Sequence, residues 1–325
     1  MNNVVRHGIP VYSSLDEITD FGSVVGSIGN FDGVHLGHRK ILSAVVSEAR
    51  ERGMRAVAIT FDPHPERFLR EECDLKLLSP IDERIRLLAA AGVDAVVVLP
   101  FDADFADLSA ESFVTDILIE ILGVDRLHEG ENFRFGRHAE ADVYDLIVFG
   151  AEYGFEVILH DPVRTRGIEV SSSAIRSFIA AGDMRRARWL LGRPFSVRGT
   201  QARGRGIGTR LLVPTVNLAP YEELLPAFGV YVTRMTIAGR CFQSVTNVGN
   251  RPTFGEPSFA VESHILDFEP VEMDEHTPID LEFLLRLRGE VAWPSPEALK
   301  AQIMKDVAKA KRWFRLAGNA SAGPK

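Results

Sequence analysis

Gly29-Asn30-Phe31-Asp32-Gly33-Val34-His35-Leu36-Gly37-His38 is the stretch on which the reading of the whole chain turns. It follows a β-branched run at 23–28 and opens an amphipathic segment at 38–52. A buried strand leading through a glycine-rich loop into a helix is the opening of an α/β sheet, where ligands bind beyond the carboxyl ends of the strands. Gly29, Gly33 and Gly37 let backbone approach a phosphate closely. The helix start adds N–H groups and a partial positive charge. His35 and His38, three apart, share one side of that helix start and can donate hydrogen bonds to nucleotide phosphates. Taken alone, the stretch also fits a glycine-rich turn with two incidental histidines.

Outward from the loop, runs at 23–28, 55–61, 94–99 and 155–160 read as strands buried on both faces. Helical patterns at 38–52, 81–91, 109–122 and 140–153 alternate with them, which predicts a parallel sheet in a Rossmann-like domain. Ser79-Pro80 reads as a cap for the second helix, with proline at its first position. The rhythm changes after Gly192. Six strand candidates, 195–201, 213–218, 229–237, 241–248, 259–266 and 279–288, then follow without intervening helices. They predict an antiparallel barrel or sandwich, closed by a helix from about 295 to 314 and a disordered tail from Gly318. Two unlike domains in series, 1–186 and 187–325, suit a length of 325 residues.

Two more segments raise the weight of the first. Val170-Ser171-Ser172-Ser173-Ala174-Ile175-Arg176 sets three hydroxyls at a helix start with an arginine one turn in. Helix capping explains the serines; the guanidinium fork makes a second anion site credible. Gly130-Glu131-Asn132-Phe133-Arg134-Phe135-Gly136 combines aromatics and an amide, as a flat ring system or a surface turn would need. With Thr60-Phe61-Asp62-Pro63-His64-Pro65 between them, these segments resemble, in order, the adenylyltransferase half of the bacterial bifunctional riboflavin kinase/FAD synthetase family. The resemblance implies an α/β nucleotidyltransferase fold. It implies ATP at Gly29, Asn30, Phe31, Asp32, His35, His38, Ser171, Ser172 and Arg176, with His35 and His38 catalytic. It further implies flavin at Asp62, Pro63, His64, Asn132, Phe133 and Phe135. A rival reading makes His35, His38, Asp62 and His64 the ligands of a hydrolytic metal.

In the second half, Gly206 and Gly208 precede Pro214-Thr215-Val216-Asn217. In an extended segment Thr215 and Asn217 share a face, and a hydroxyl beside an amide carbonyl supplies oxygen ligands for Mg²⁺. A polar-faced edge strand explains the same residues. Glu262, on a strand with His264, is placed to take the proton of a primary alcohol, or simply faces solvent. These elements, with Phe228-Gly229-Val230-Tyr231, the run Asn247 to Phe254 and Gln302 with Asp306, resemble the same family's riboflavin kinase domain. That likeness implies a six-stranded antiparallel barrel with a C-terminal helix. It assigns ATP to Gly206, Gly208, Thr215 and Asn217, Mg²⁺ to Thr215 and Asn217, and the catalytic base to Glu262. Leu212-Val213, where Gly-Phe is usual, and Trp293-Pro294 depart from the pattern.

The expected cofactors and substrates are therefore Mg²⁺, ATP, riboflavin, FMN and FAD. A net charge of −8 argues against a nucleic-acid partner, despite the arginines between 185 and 210. Cys73 and Cys241 stand far apart without metal spacing, and the apolar runs are short and charged. The expectation is a cytoplasmic enzyme without a membrane span, a monomer or weak homo-oligomer acting on small molecules.

Overall fold

Among the described residues, nine strands precede residue 161: β1 (Val4–Arg6), β2 (Ile9–Tyr12), β3 (Val24–Ile28), β4 (Arg55–Asp62), β5 (Ala95–Pro100), β6 (Val124–Gly130), β7 (Arg134–Phe135), β8 (Ala141–Asp142) and β9 (Glu156–His160). They belong to a computed structural model that describes residues 4–18, 21–70, 72–202, 215–252 and 257–321. Seven of them form one sheet in the order β1-β2-β5-β4-β3-β6-β9, parallel except where β1 meets β2; β7 and β8 form a separate hairpin. The apolar runs alternate between faces, which is why both faces are buried. Val24, Ile28, Val57 and Ile59 pack on one side with Phe113, Leu118 and Leu146. Val25, Ala56 and Ala58 pack on the other with Leu42, Val45 and Leu88.

The helices of this part are α1 (Leu36–Arg52), α2 (Pro65–Leu69), α3 (Ile81–Ala90), α4 (Ala103–Ala106), α5 (Ala110–Ser112), a π-helical stretch Phe113–Ile121, and α6 (Val143–Tyr153). The four long helices expected from periodicity are present. Two features differ. Ser79 does not cap α3; Pro80 occupies the cap position without a side-chain bond, because the Ser79 hydroxyl is engaged elsewhere. Strand β6 escaped the apolar pattern because Arg126, His128 and Glu129 interrupt it. Those side chains are satisfied from neighbouring elements: Arg126 pairs with Glu48, and His128 bonds Glu48 at 2.7 Å and His160 at 2.9 Å.

The chain divides into two compact units, Met1–Ser172 and Ser173–Lys325. A short hairpin, β10 (Arg164–Thr165) with β11 (Ile168–Glu169), precedes the division. Helices α7 (Ser172–Ala180) and α8 (Met184–Leu191) follow. In the second unit β12 (Phe195–Gly199), β13 (Thr215–Asn217), β14 (Gly229–Ile237), β15 (Arg240–Pro252), β16 (Pro257–Ile265) and β17 (Ile279–Gly289) pair antiparallel in the order β12-β17-β14-β15-β16-β13. The two edges meet through the Gln201–Leu218 bridge and the bonds Ala202 N to Asn217 O and Ala219 N to Thr200 O, closing the expected barrel. Its interior holds a run of fully buried hydroxyls: Ser244 bonds Thr233 at 2.8 Å, Thr233 bonds Thr246 at 2.6 Å, and Thr246 bonds Ser263 at 2.7 Å. Helix α9 (Pro296–Ser321) packs Ala310 and Val307 on the barrel. It is fastened by Asp306, which accepts from Arg288 and Gln302, each at 2.9 Å. The helix runs past the expected end at 314 to Ser321, into the segment expected to be a disordered tail, since no proline interrupts it before Pro324 and alanines sustain it.

Candidate active sites

The loop from Gly29 to His35 is held by its own side chains. Asp32, 1% exposed, turns its carboxylate inward to accept from the backbone N–H groups of Leu78 and Ser79 at 3.0 Å and from the Ser79 hydroxyl at 3.2 Å. Ser79 Oγ in turn accepts from Gly33 N at 2.8 Å. This anchoring sustains left-handed backbone at Phe31, Gly33 and Val34, two of them residues that resist it. His35 caps α1, its Nδ1 accepting from His38 N at 3.3 Å, so in the neutral ring the proton resides on Nε2, which is a donor. The His38 ring stacks on His35 at 3.6 Å and 17°. Burial first, then His35, then Arg84, hold the His38 pKa well below the usual histidine value.

Ser172 Oγ donates to Asp32 O at 2.9 Å, and a side chain at Gly37 would lie 3.9 Å from Val170 O. The structure therefore brings the start of the serine segment against the glycine-rich loop. Arg176 stands one turn along α7. On the other side of the loop, a cis peptide joins Asp62 to Pro63, both exposed, while His64 is 5% exposed and caps α2 by accepting from Glu66 N at 3.2 Å. Asn132 is exposed; Phe133 stacks on Phe135 at 5.4 Å and 15°, and Phe135 reaches the sheet core. The metal reading of His35, His38, Asp62 and His64 fails on this geometry. His35 and His64 each use Nδ1 to cap a helix, and among the described residues no group of three or more His, Cys, Asp or Glu is placed to hold a metal.

In the second unit, β13 and β16 pair Asn217 with Glu262, Val216 with Ser263 and Thr215 with His264. Directly paired side chains sit about 4.5–5.5 Å apart at Cβ. Val216 and Ser263 are buried, whereas Thr215, Asn217, Glu262 and His264 are all half-buried, which sets these four on the opposite face from the barrel interior. The other neighbour of Glu262 in the ladder is Asn247, so the carboxylate lies between two amides. Gly206 and Gly208, like Leu212, Val213 and Pro214, lie outside the described residues.

Residues 18–174 match the FAD synthetase family and residues 191–314 the riboflavin kinase family. The bifunctional riboflavin kinase/FMN adenylyltransferase of Escherichia coli (strain K12) is 35% identical over 305 residues, covering 93% of this chain and 96% of its own. The chain belongs to that bifunctional family. A second member, from Pseudomonas fluorescens, is 36% identical over 88% of this chain and 92% of its own. A crystal structure of a macrolide-efflux protein from Streptococcus pneumoniae superposes with a TM-score of 0.83 at 27% identity, covering 93% of this chain and 98% of that one. No helix among the described residues is long and apolar enough to cross a membrane. The chain is thus an enzyme of the riboflavin kinase/FMN adenylyltransferase family, converting riboflavin to FMN and FMN to FAD.

Several residues at these sites were not singled out from sequence. Phe101 and Phe105, beyond the carboxyl end of β5, join Phe61 and Phe68 in a cluster of rings 5.3–5.8 Å apart beside the 62–65 segment. Their spacing just after a strand end was the available signal. Asn247 was named from sequence only as the start of a matching run; its place opposite Glu262 came from the strand register. Glu129, at the end of β6, is 2% exposed and accepts from Ile28 N at 2.6 Å, just before the glycine-rich loop. Burial raises its pKa well above the usual carboxylate range, against the opposing pull of the Ile28 and Ser27 bonds. A raised native pKa means the folded chain binds the extra proton. The associated stability is full below the unfolded pKa and lost as pH rises through the native one. Glu129→Gln keeps the acceptor and removes the ionisation. Thermal melts should therefore show it gaining on the parent as pH is raised from 5 to 8; a pH-independent difference would place the titration elsewhere.

Proposed function

We propose that the first site aligns ATP and FMN without a general base, and that the second uses Glu262 as one. ATP phosphates lie along Gly29, Asn30, Phe31 and Asp32, facing His35, His38, Ser171 and Ser172, with Arg176 adding its guanidinium. FMN lies against Asp62, Pro63, His64, Asn132, Phe133 and Phe135. An oxygen of the FMN phosphate attacks the α-phosphorus of ATP, the bond to pyrophosphate breaks, and FAD forms. With a second pKa near about 6, that phosphate is already a dianionic nucleophile, so donors and alignment are what the site must supply. Histidines donating through N–H suit this task. The buried Asp32, His64 and Phe135 serve it by holding the segments that touch the ligands.

In the second site the primary hydroxyl of riboflavin attacks the γ-phosphorus of ATP, Glu262 takes the hydroxyl proton, and ADP leaves. The observation that carries this reading is the strand register, which sets Glu262 opposite Asn217 and two residue pairs from Thr215, on the same face. The Thr215 hydroxyl and the Asn217 carbonyl are the oxygens that would hold Mg²⁺ with ATP, and Gly206 and Gly208 the backbone that would wrap its phosphates. When bound, the ion neutralises phosphate charge. The functional division at 186/187, a cytoplasmic location, a monomer or weak homo-oligomer and the absence of a nucleic-acid partner complete the proposal. The net charge of −8 and the two separated cysteines support it.

Chromatography of the full chain incubated with riboflavin, ATP and Mg²⁺ should show FMN followed by FAD, and excess EDTA should stop both. FMN formed at the full rate in EDTA would remove the metal from Thr215 and Asn217. FAD made only from supplied FMN would remove the Glu262 site as a working kinase.

A further inference from the structure

Arg84 lies in α3 and is 0% exposed, yet guanidinium groups keep their charge in proteins. Packing alone does not explain it. A leucine would fill the space between α3 and the sheet without the desolvation of a cation. Its Nη1 donates to Thr60 Oγ1 at 3.3 Å and to the Phe61 carbonyl at 2.9 Å. Thr60, also 0% exposed, passes the contact on by donating to Asn30 O at 3.3 Å. Arg84 thus braces the end of β4, which leads into the 62–65 segment, and acts through Thr60 on the loop that leads to His35 and His38.

We infer that Arg84 is a positioning residue for adenylyl transfer, tying the flavin segment to the ATP loop through Thr60. The inference rests on the residue assignment proposed above. His38 is faced by the stacked His35, by the edge of Phe31 at 5.2 Å, and by the charge of Arg84. Removing that charge should let His38 take up a proton at higher pH.

Arg84→Met and Arg84→Lys in the full chain test it, with FAD formation from FMN and Mg-ATP as the readout and FMN formation from riboflavin as the folding control. Arg84→Met removes charge and fork together, and should lower kcat for FAD by about thirtyfold or more, exceeding any change in KM, with kinase activity retained. Arg84→Lys keeps the charge but not the fork, and should lower kcat by about fivefold to tenfold. In NMR titrations without ligand, the His38 pKa should rise in Arg84→Met and stay in place in Arg84→Lys. An Arg84→Met enzyme with kcat within about threefold of the parent, or an unmoved His38 titration, overturns the inference. If Arg84→Met loses both activities, Arg84→Lys decides, and parental kcat there overturns it. His38→Ala, assayed alongside, separates the two levels: an inactive His38→Ala with an unimpaired Arg84→Met defeats this inference alone, whereas a fully active His38→Ala defeats the assignment beneath it.

Discussion

Glu262→Ala lowers FMN formation from riboflavin by about a hundredfold or more while FAD is still made from supplied FMN. The size of the expected loss follows from the acceptor. A primary alcohol is protonated at every physiological pH, and attack on the γ-phosphorus must shed that proton as the bond forms. A carboxylate set between Asn217 and Asn247 in the strand ladder is held by backbone pairing on both sides, so its placement does not depend on a mobile loop. Truncation leaves both flanking strands intact, and the loss is therefore read in kcat rather than in folding. Glu262→Gln, which keeps shape and hydrogen bonding, should be nearly as slow. Kinase turnover within a few-fold of the parent in either variant would take Glu262 out of the reaction.

His38→Ala produces the converse pattern: FAD formation falls by about a hundredfold, and FMN accumulates from riboflavin. With the histidine pair proposed as a donor array rather than a base, the loss should be largest in the transfer step and smaller in FMN binding. His35 retains its helix-capping role when its neighbour is shortened, since the bond it accepts comes from the backbone of residue 38. The loop is accordingly expected to survive the substitution. FAD made at the parental rate by His38→Ala would dissociate the pair from adenylyl transfer.

The sequence was most informative where backbone pattern alone assigns a side chain to a face. The glycine-rich loop after β3 and the strand face with Thr215, Asn217 and Glu262 were legible because periodicity of two and the strand-to-helix transition each assign a side. The alternation of apolar runs likewise gave four of the parallel strands and all six barrel strands. Polar residues that satisfy one another across elements hid the rest. Strand β6 has no apolar pattern to mark it, and its polar side chains make sense only with Glu48 and His160 beside it, residues 80 and 32 positions from His128. Ser79 reads as a helix cap until Asp32, 47 positions from it, claims its backbone N–H. Arg84 reads as one more helix arginine. Local pattern carries no information about such distant partners.

The hydroxyls enclosed by the barrel constrain how this protein can diverge. Thr233, Ser244, Thr246 and Ser263 each complete a neighbour's hydrogen bonding, so exchanging one for valine orphans another, whereas exchanging a bonded pair for apolar residues of similar shape is nearly neutral. Thr233 and Thr246, each touching two others, are the least free to drift alone. Lineages descending from this chain should therefore change these positions in concert, and a combinatorial library over the four should deplete the genotypes that leave a lone hydroxyl, while keeping those that exchange Thr233 with Ser244, Thr246 with Ser263, or all four.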